Sequence, residues 1–250
     1  MTDEPRYRKL LRWYPKPWRE RNGDALLGVM LDEAERCGRT GPSWGERWSA
    51  FAHGVGMRLD AALAWRLAII AIVMTACRVL WLFVALWEPI AWISDLVVPQ
   101  VVAAAPVLLV IALVAAVRER GFLPEPHALL AACVGALASA AVSLAWVSWN
   151  IGFDAADAHR PVPLAGQLFV PLLLCATPVT LIAVSIVTDG LSYLQGRSRP
   201  VRLLIGIGVG IVVVPAIWIA PVASFPYMTG LAIFVMMLTG RRHRTPQAPV

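Results

Sequence analysis

Polar positions crowd the first quarter of the chain, and near residue 66 they give way abruptly to long hydrophobic runs broken by short polar breaks. A helix needs about 20 apolar residues to cross the hydrocarbon of a bilayer. Dividing the apolar region by that length predicts six spans, at 67–87, 96–117, 128–149, 164–187, 203–220 and 222–239. The last two are short, with a tight outer turn around Pro221 and the stretch from Ser224 to Pro226. No alternating barrel pattern appears, and open strands cannot satisfy their backbone groups in lipid, so every span is expected to be helical.

The polar head reads as three helices. Arg6 to Tyr14 is short and basic and is stopped by Pro15 and Pro17, whose rings do not fit a helix interior. A second helix is expected from Trp18 to Cys37, ending at Gly38, a residue suited to a left-handed cap. Its Leu26, Leu27, Met30, Leu31, Ala34 and Cys37 form a broad apolar arc, with Arg21, Asp24, Asp32 and Glu35 opposite. Such an arc calls for a partner surface, and Leu26, Leu27, Met30 and Leu31 are the candidate docking face. The third helix starts at Ser43, which has capping-box spacing to Glu46; Trp44, Trp48, Phe51, Ala52, Val55 and Leu59 form its apolar side, interrupted by Gly54 and Gly56. Three short helices make a small core, so the head is expected to lean on the membrane body, on lipid or on another protein. The domains are therefore a helical prefix at 1–66, a six-helix transmembrane body at 67–240 and a basic tail at 241–250, an all-α polytopic bundle with a small head.

Composition agrees. Of 250 residues 58% are hydrophobic and 15% charged, against roughly 25% charged in soluble domains, which excludes a disordered chain and an ordinary soluble enzyme. The net charge of +6 matters less than its distribution. With the amino terminus inside, 20 of the 22 Lys and Arg residues fall on the cytoplasmic side, Arg160 alone falls outside and Arg78 lies within a span. The outer loops hold Glu88, Asp95, Asp154 and Asp157 instead, and Trp87, Trp92, Trp146, Trp149, Trp218, Phe225 and Tyr227 gather at the outer ends. Retained positive loops and interfacial aromatics give one topology, with both termini in the cytoplasm and the protein in the cell membrane. No signal peptide is visible ahead of Leu67.

Candidate chemistry is sparse. Arg78 is the main anomaly, since a mid-span Arg costs about 2.5–3.5 kcal/mol on insertion scales and normally faces protein or water. The favoured reading is a shifted or tilted span from which it snorkels or caps a neighbouring helix end; the alternative is an anion or gating contact with Glu88 or Asp95. Small residues at Gly206, Gly208 and Gly210, and at Ala131, Gly135 and Ser139, allow close helix approach, within the chain rather than between chains. Asp154, Asp157 and His159 read as a solvated outer loop. Cys37, Cys77, Cys133 and Cys175 form no CxxC pair and read as reduced, buried fillers. His53, His127 and His243 stand apart from any nucleophile. No catalytic, cofactor or metal site is expected, and no nucleic-acid partner, because the head carries only a small excess of positive charge. Arg6, Arg8, Lys9 and Arg12, beside Trp13, Tyr14 and Trp18, form a basic aromatic segment suited to anionic lipid or to a solvated helix face.

The stretch YRKLLRWYPKPWRERNGDALLGVMLDEAERCGR, Tyr7 to Arg39, resembles the prefix helices of uncharacterised bacterial multi-pass membrane proteins and of some ABC-type efflux permeases, often encoded beside PadR-type repressors. The shared residues are Tyr7, Leu10, Leu11, Tyr14, Pro15, Trp18, Arg19, Gly23, Leu27, Leu31 and Asp32. The resemblance implies a membrane protein with a cytoplasmic regulatory prefix and names no catalytic residue. Permeases with this prefix usually carry a large extracytoplasmic domain, and no loop here is long enough for one. The leading expectation is thus a non-enzymatic inner-membrane protein, regulatory or transport-accessory, with the bilayer and a cytoplasmic regulator or ATPase as partners and a homo-oligomer open to it. The alternative is a small-solute or drug transporter, or an ABC-type permease subunit with a separate ATPase.

Overall fold

The structure, a computed structural model of the chain, describes residues 4–85, 91–219 and 225–240, with the side chains of 81, 82, 84–103, 225 and 226 excepted. The described residues form nine α-helices and no strand. They are α1 (Glu4–Arg8), α2 (Lys16–Arg36), α3 (Trp44–Gly56), α4 (Ala61–Ala85), α5 (Ala91–Glu119), α6 (Glu125–Asp157), α7 (Phe169–Gly190), α8 (Arg199–Ile219) and α9 (Phe225–Gly240).

In the head, the basic first helix divides into α1 and a 3-10 turn over Lys9–Trp13, which Tyr14 and Pro15 end in extended conformation. Helix α2 stops where expected: Cys37 caps it and Gly38 takes φ +63°. Helix α3 opens on a complete capping box, Ser43 Oγ accepting from the Glu46 amide at 3.2 Å and Glu46 Oε2 from the Ser43 amide at 2.7 Å. Burial pushes the Glu46 carboxyl up, but those Ser43 bonds and the Arg39 guanidinium 3.0 Å away outweigh it, and its pKa is lowered. The head's core is Tyr7, Leu10, Leu11, Tyr14, Leu27, Ala34 and Ala50.

Two expectations for α3 are corrected. Its inward side is made of Ala50, Ala52, Gly54 and Gly56, and Trp44 and Trp48 are turned outward, 77% and 44% exposed. The glycines do not interrupt the helix; they let other backbones touch it. A methyl group on Gly54 would come 2.7 Å from the Trp13 carbonyl carbon, and one on Gly56 2.6 Å from the Glu125 carbonyl oxygen. A side chain on that face would hold the head off the bundle.

Four helices, α6, α7, α8 and the Ala61–Leu80 part of α4, are each long and apolar enough to cross a membrane. Helix α9 is apolar but only 16 residues long. The expected span at 67–87 begins earlier, at Ala61, after Asp60 accepts from the Leu63 amide at 2.8 Å. The compositional boundary at residue 66 therefore falls inside a helix. The span at 128–149 grows to the 33 residues of α6. At 1.5 Å per residue that is about 50 Å, well beyond the hydrocarbon thickness. Asp154 and Asp157 consequently sit on the last turns of α6 rather than in a loop, and His159 follows with φ +53°.

The bundle is close-packed through small residues. Ala64, Ala68, Ala71 and Thr75 of α4 make one seam, facing Ala105, Leu109, Ala112 and Ala116 of α5 and Met228, Ala232 and Val235 of α9. On α6, Ala131, Gly135 and Ser139 are buried, with Gly135 against Val110 of α5. Gly206 and Gly210 of α8 lie against Thr188 and Leu181 of α7, while Gly208 faces open space. Both small-residue stripes thus serve packing within the chain. Large apolar side chains point outward instead: Leu80, Leu137, Leu174, Leu204, Ile211 and Val212 are all more than half exposed. Small inside and large outside is wasteful in water, but it fits lipid, where burying Leu gains nothing and close backbone approach does. The four cysteines follow the same rule. They are free and exposed, which corrects their reading as buried fillers; alanine and glycine occupy the seams they were expected to fill.

Consecutive helices α4 to α8 pack side by side, but the last expected hairpin separates: α8 packs on α7, and α9 packs on α4 and α5. The turn between them, with Pro221 and Ser224, lies outside the described residues.

Candidate functional site

One end of the bundle gathers its charges. Arg118, at the end of α5, donates to the carbonyls of Met57 at 3.4 Å and Leu59 at 3.2 Å, and its other nitrogen bonds Glu125 Oε1 at 3.3 Å. It ties together the exit of the head, the start of α6 and its own helix. Arg120 donates to the carbonyls of Leu238 and Met237, satisfying the free carbonyl end of α9. Arg202 donates to the Asp189 carbonyl at 3.0 Å and lies 3.2 Å from its carboxylate, with His127 Nε2 3.8 Å away on the other side. The far end is aromatic: Trp146 donates to the Trp218 carbonyl at 2.6 Å and meets both Trp149 and Phe169 edge-on, the latter 5.4 Å away. This is the separation of basic and aromatic ends that the sequence implies for Trp146, Trp149 and Trp218. Trp87, Glu88 and the tail arginines lie outside the described residues, as do the side chains of Trp92 and Asp95.

The head rests on the basic end through α3, which packs on α6 and on the 3-10 turn, while α2 is held by α1 and that same turn. Between α3 and the amino-terminal segment runs an open groove of about 630 Å³. Arg6, Lys9 and Arg12 line one bank, and Arg47 the other. An aromatic ladder forms its floor and rim: Trp44 stacks on Trp48 at 6.1 Å, Trp48 meets Phe51 at 5.6 Å, and Phe51 meets Trp13 edge-on at 4.9 Å. The Arg12 guanidinium lies 4.8 Å above the Trp13 ring, a cation–π contact that fixes its charge at the mouth.

The expected site residues fall into three groups. Arg6, Lys9 and Arg12 are brought together, whereas Arg8 pairs with Glu4 at 2.8 Å and belongs to a neighbouring hollow with Arg19 and Asp24. The candidate docking face needs correction in part. Leu27 is 5% exposed in the head's core, and Leu26, Met30 and Leu31 pack half-buried against it. The chain's own Tyr7, Leu10, Leu11 and Tyr14 thus close the arc that calls for a partner in the sequence, and α2 turns Val29, 65% exposed, outward. Arg78 sits on α4, half-buried and engaged by an interaction, one turn beyond buried Thr75.

Trp44 and Trp48 are the residues that sequence reasoning misplaces, and Arg47 is one that it does not single out. The signal is present: an Arg flanked by two Trp residues one turn apart cannot lie on a buried face without burying its charge. Among the described residues no group of three His, Cys, Asp or Glu side chains could hold a metal ion. No protein-family model, curated protein or solved structure matches the chain.

Proposed function

We propose that the chain is a non-enzymatic integral protein of the cytoplasmic membrane, with six spans and both termini in the cytoplasm. In this reading its head docks a cytoplasmic protein, a regulator or an ATPase, in a regulatory or transport-accessory role. The observation that carries it is the mounting of the head. Helix α3 clamps it to α6, Gly56 lying against Glu125 with Arg118 bridging the two, and α2 is left turned outward with Val29 at its surface. An element fixed in this way passes a partner's grip to the bundle without a flexible linker between them. Positive charge concentrated at the head's end of the bundle supports the inward orientation. The 29-residue α5 and the seating of α9 beside α4 support counting both as spans. The resemblance of Tyr7 to Arg39 to permease prefixes points the same way.

The test is a photo-cross-linker at position 29 of the full chain in native membranes, with Phe153, at the far end of α6, as the control position. A regulator or ATPase attached from position 29 alone supports the reading; equal capture from both positions overturns it. The alternative, a transporter or ABC-type permease subunit, takes its support from the half-buried Arg78 within α4. It requires that Arg78→Ala abolish solute flux in vesicles while the protein still folds.

A further inference from the structure

We propose that the groove between α3 and the amino-terminal segment is a seat for anionic phospholipid headgroups of the leaflet next to the head. Its banks bring Arg6, Lys9, Arg12 and Arg47 around one opening, and among the described residues no carboxylate lines it. Cations drawn together from two separate segments fit phosphate, and the guanidiniums among them supply forked donors for it. Trp44 and Trp48, 77% and 44% exposed, stand at the rim. Indole at a water boundary prefers the headgroup level, where its ring meets acyl chain and its N–H meets water.

Continuity with the membrane body identifies the occupant. Helix α3 ends at Gly56 and α4 begins at Ala61, so one short turn joins the helix that carries Trp44, Trp48 and Phe51 to a helix apolar enough to span a membrane. Arg118 fixes that turn through the carbonyls of Met57 and Leu59. The groove is thereby tethered beside the leaflet, and a lipid reaches it without the cost of free association. An acidic protein segment shares the charge but has no such tether, so lipid is the favoured occupant. Each basic group close to an anionic surface contributes about fivefold in partition, so Lys9, Arg12 and Arg47 together distinguish anionic from zwitterionic lipid by about two orders of magnitude.

The full chain, reconstituted in nanodiscs of phosphatidylcholine with and without phosphatidylglycerol, is exposed to a phosphatidylglycerol carrying a photoreactive group near its headgroup. The adducts are then mapped by peptide. Adducts on the peptides holding Trp13 and Trp44–Trp48 are expected, displaced by unlabelled phosphatidylglycerol and not by phosphatidylcholine. Replacing Lys9, Arg12 and Arg47 by Gln is expected to cut them at least tenfold, and Arg12→Lys with Arg47→Lys to retain them. Adducts near Leu137 and Leu144, on the outer face of α6, serve as the folding control in every variant. No groove adducts, or equal labelling by a phosphatidylcholine probe, overturns the proposal. So does capture of a protein from position 44 in native membranes with no lipid adduct there. Nanodiscs present both leaflets alike, and position 29 is outside the groove. Failure here is therefore separable from failure of the orientation or of the partner docking.

Discussion

Replacing Gly56 by Ala tests the joint on which the mounting of the head depends. In an exposed helix, Gly to Ala stabilises by about 1 kcal/mol, because alanine has less backbone freedom to lose. At Gly56 the new methyl would lie 2.6 Å from the Glu125 carbonyl oxygen, 2.7 Å from its Cβ and 2.9 Å from its carbonyl carbon. Two of those three atoms are backbone at the first turn of α6 and cannot rotate away, so α3 must retreat by about half an ångström or more. Overpacking of this kind costs about 1–3 kcal/mol, enough to exceed the propensity gain and reverse its sign. Retreat also stretches the Arg118 bonds to Met57 and Leu59, already 3.4 and 3.2 Å long. Gly28 is the internal control: it lies mid-helix in α2, and a methyl there would meet nothing within 4 Å, so Gly28→Ala should stabilise the head by about 1 kcal/mol. Hydrogen exchange of α3 amides in nanodiscs reads both variants, faster for Gly56→Ala and slower or unchanged for Gly28→Ala. If Gly56→Ala slows exchange as Gly28→Ala does, no close contact exists there and the joint is not what holds the head.

Four other outcomes are expected. Ser43→Ala removes the hydroxyl half of the capping box and should cost the head about 1 kcal/mol in urea unfolding. Because the folded Glu46 carboxyl is lowered, its contribution is present above the unfolded carboxylate pKa and is lost as pH falls through the folded one; Glu46→Gln should flatten that acid limb, and an unchanged limb would contradict the cap. Gly206→Leu should loosen α7 from α8, since even a methyl there would meet Thr188 Oγ1 at 2.6 Å, whereas Gly208→Leu, facing open space, should leave detergent melting unchanged or raised. Tyr7→Phe should be neutral or stabilising by up to about 1 kcal/mol in thermal unfolding, because the Tyr7 hydroxyl is buried with no hydrogen-bond partner among the described residues; a loss above about 1 kcal/mol would show that the hydroxyl is satisfied.

The elements legible in the sequence are those set by local chemistry. Ser43 with Glu46, Gly38 after Cys37, and Pro15 after Tyr14 mark ends that depend on nearby backbone groups, and each marks an end in the structure. The direction in which a face turns is a different matter, because periodicity identifies a face without saying what covers it. Trp44 and Trp48 have the spacing of a core stripe, yet Ala50, Ala52, Gly54 and Gly56 hold the inward side, since only small residues admit the Trp13 and Glu125 backbones. In the bundle, hydrophobicity no longer separates inside from outside: buried Ala131 and exposed Leu137 are both apolar, and size makes the distinction. Cys77, Cys133 and Cys175 sit in apolar runs, which suggests an interior place, and all three are exposed for the same reason. Half of the groove is visible as the basic run Arg6, Lys9 and Arg12; Arg47 arrives from 35 residues further along, through packing that no local pattern encodes.

The pairing of α9 with α4 has a bearing on biosynthesis. The Ala64, Ala68 and Ala71 side of α4 meets Met228, Ala232 and Val235, which leave the ribosome some 160 residues later. Throughout translation that alanine face must wait beside the insertion machinery without its final neighbour, as domains generally assemble in the order they are made. A product truncated before residue 225 would lack this seam and the packing of α9 on α5 with it, leaving a strip of small side chains uncovered as a mark by which membrane proteases could tell such a product from the longer chain.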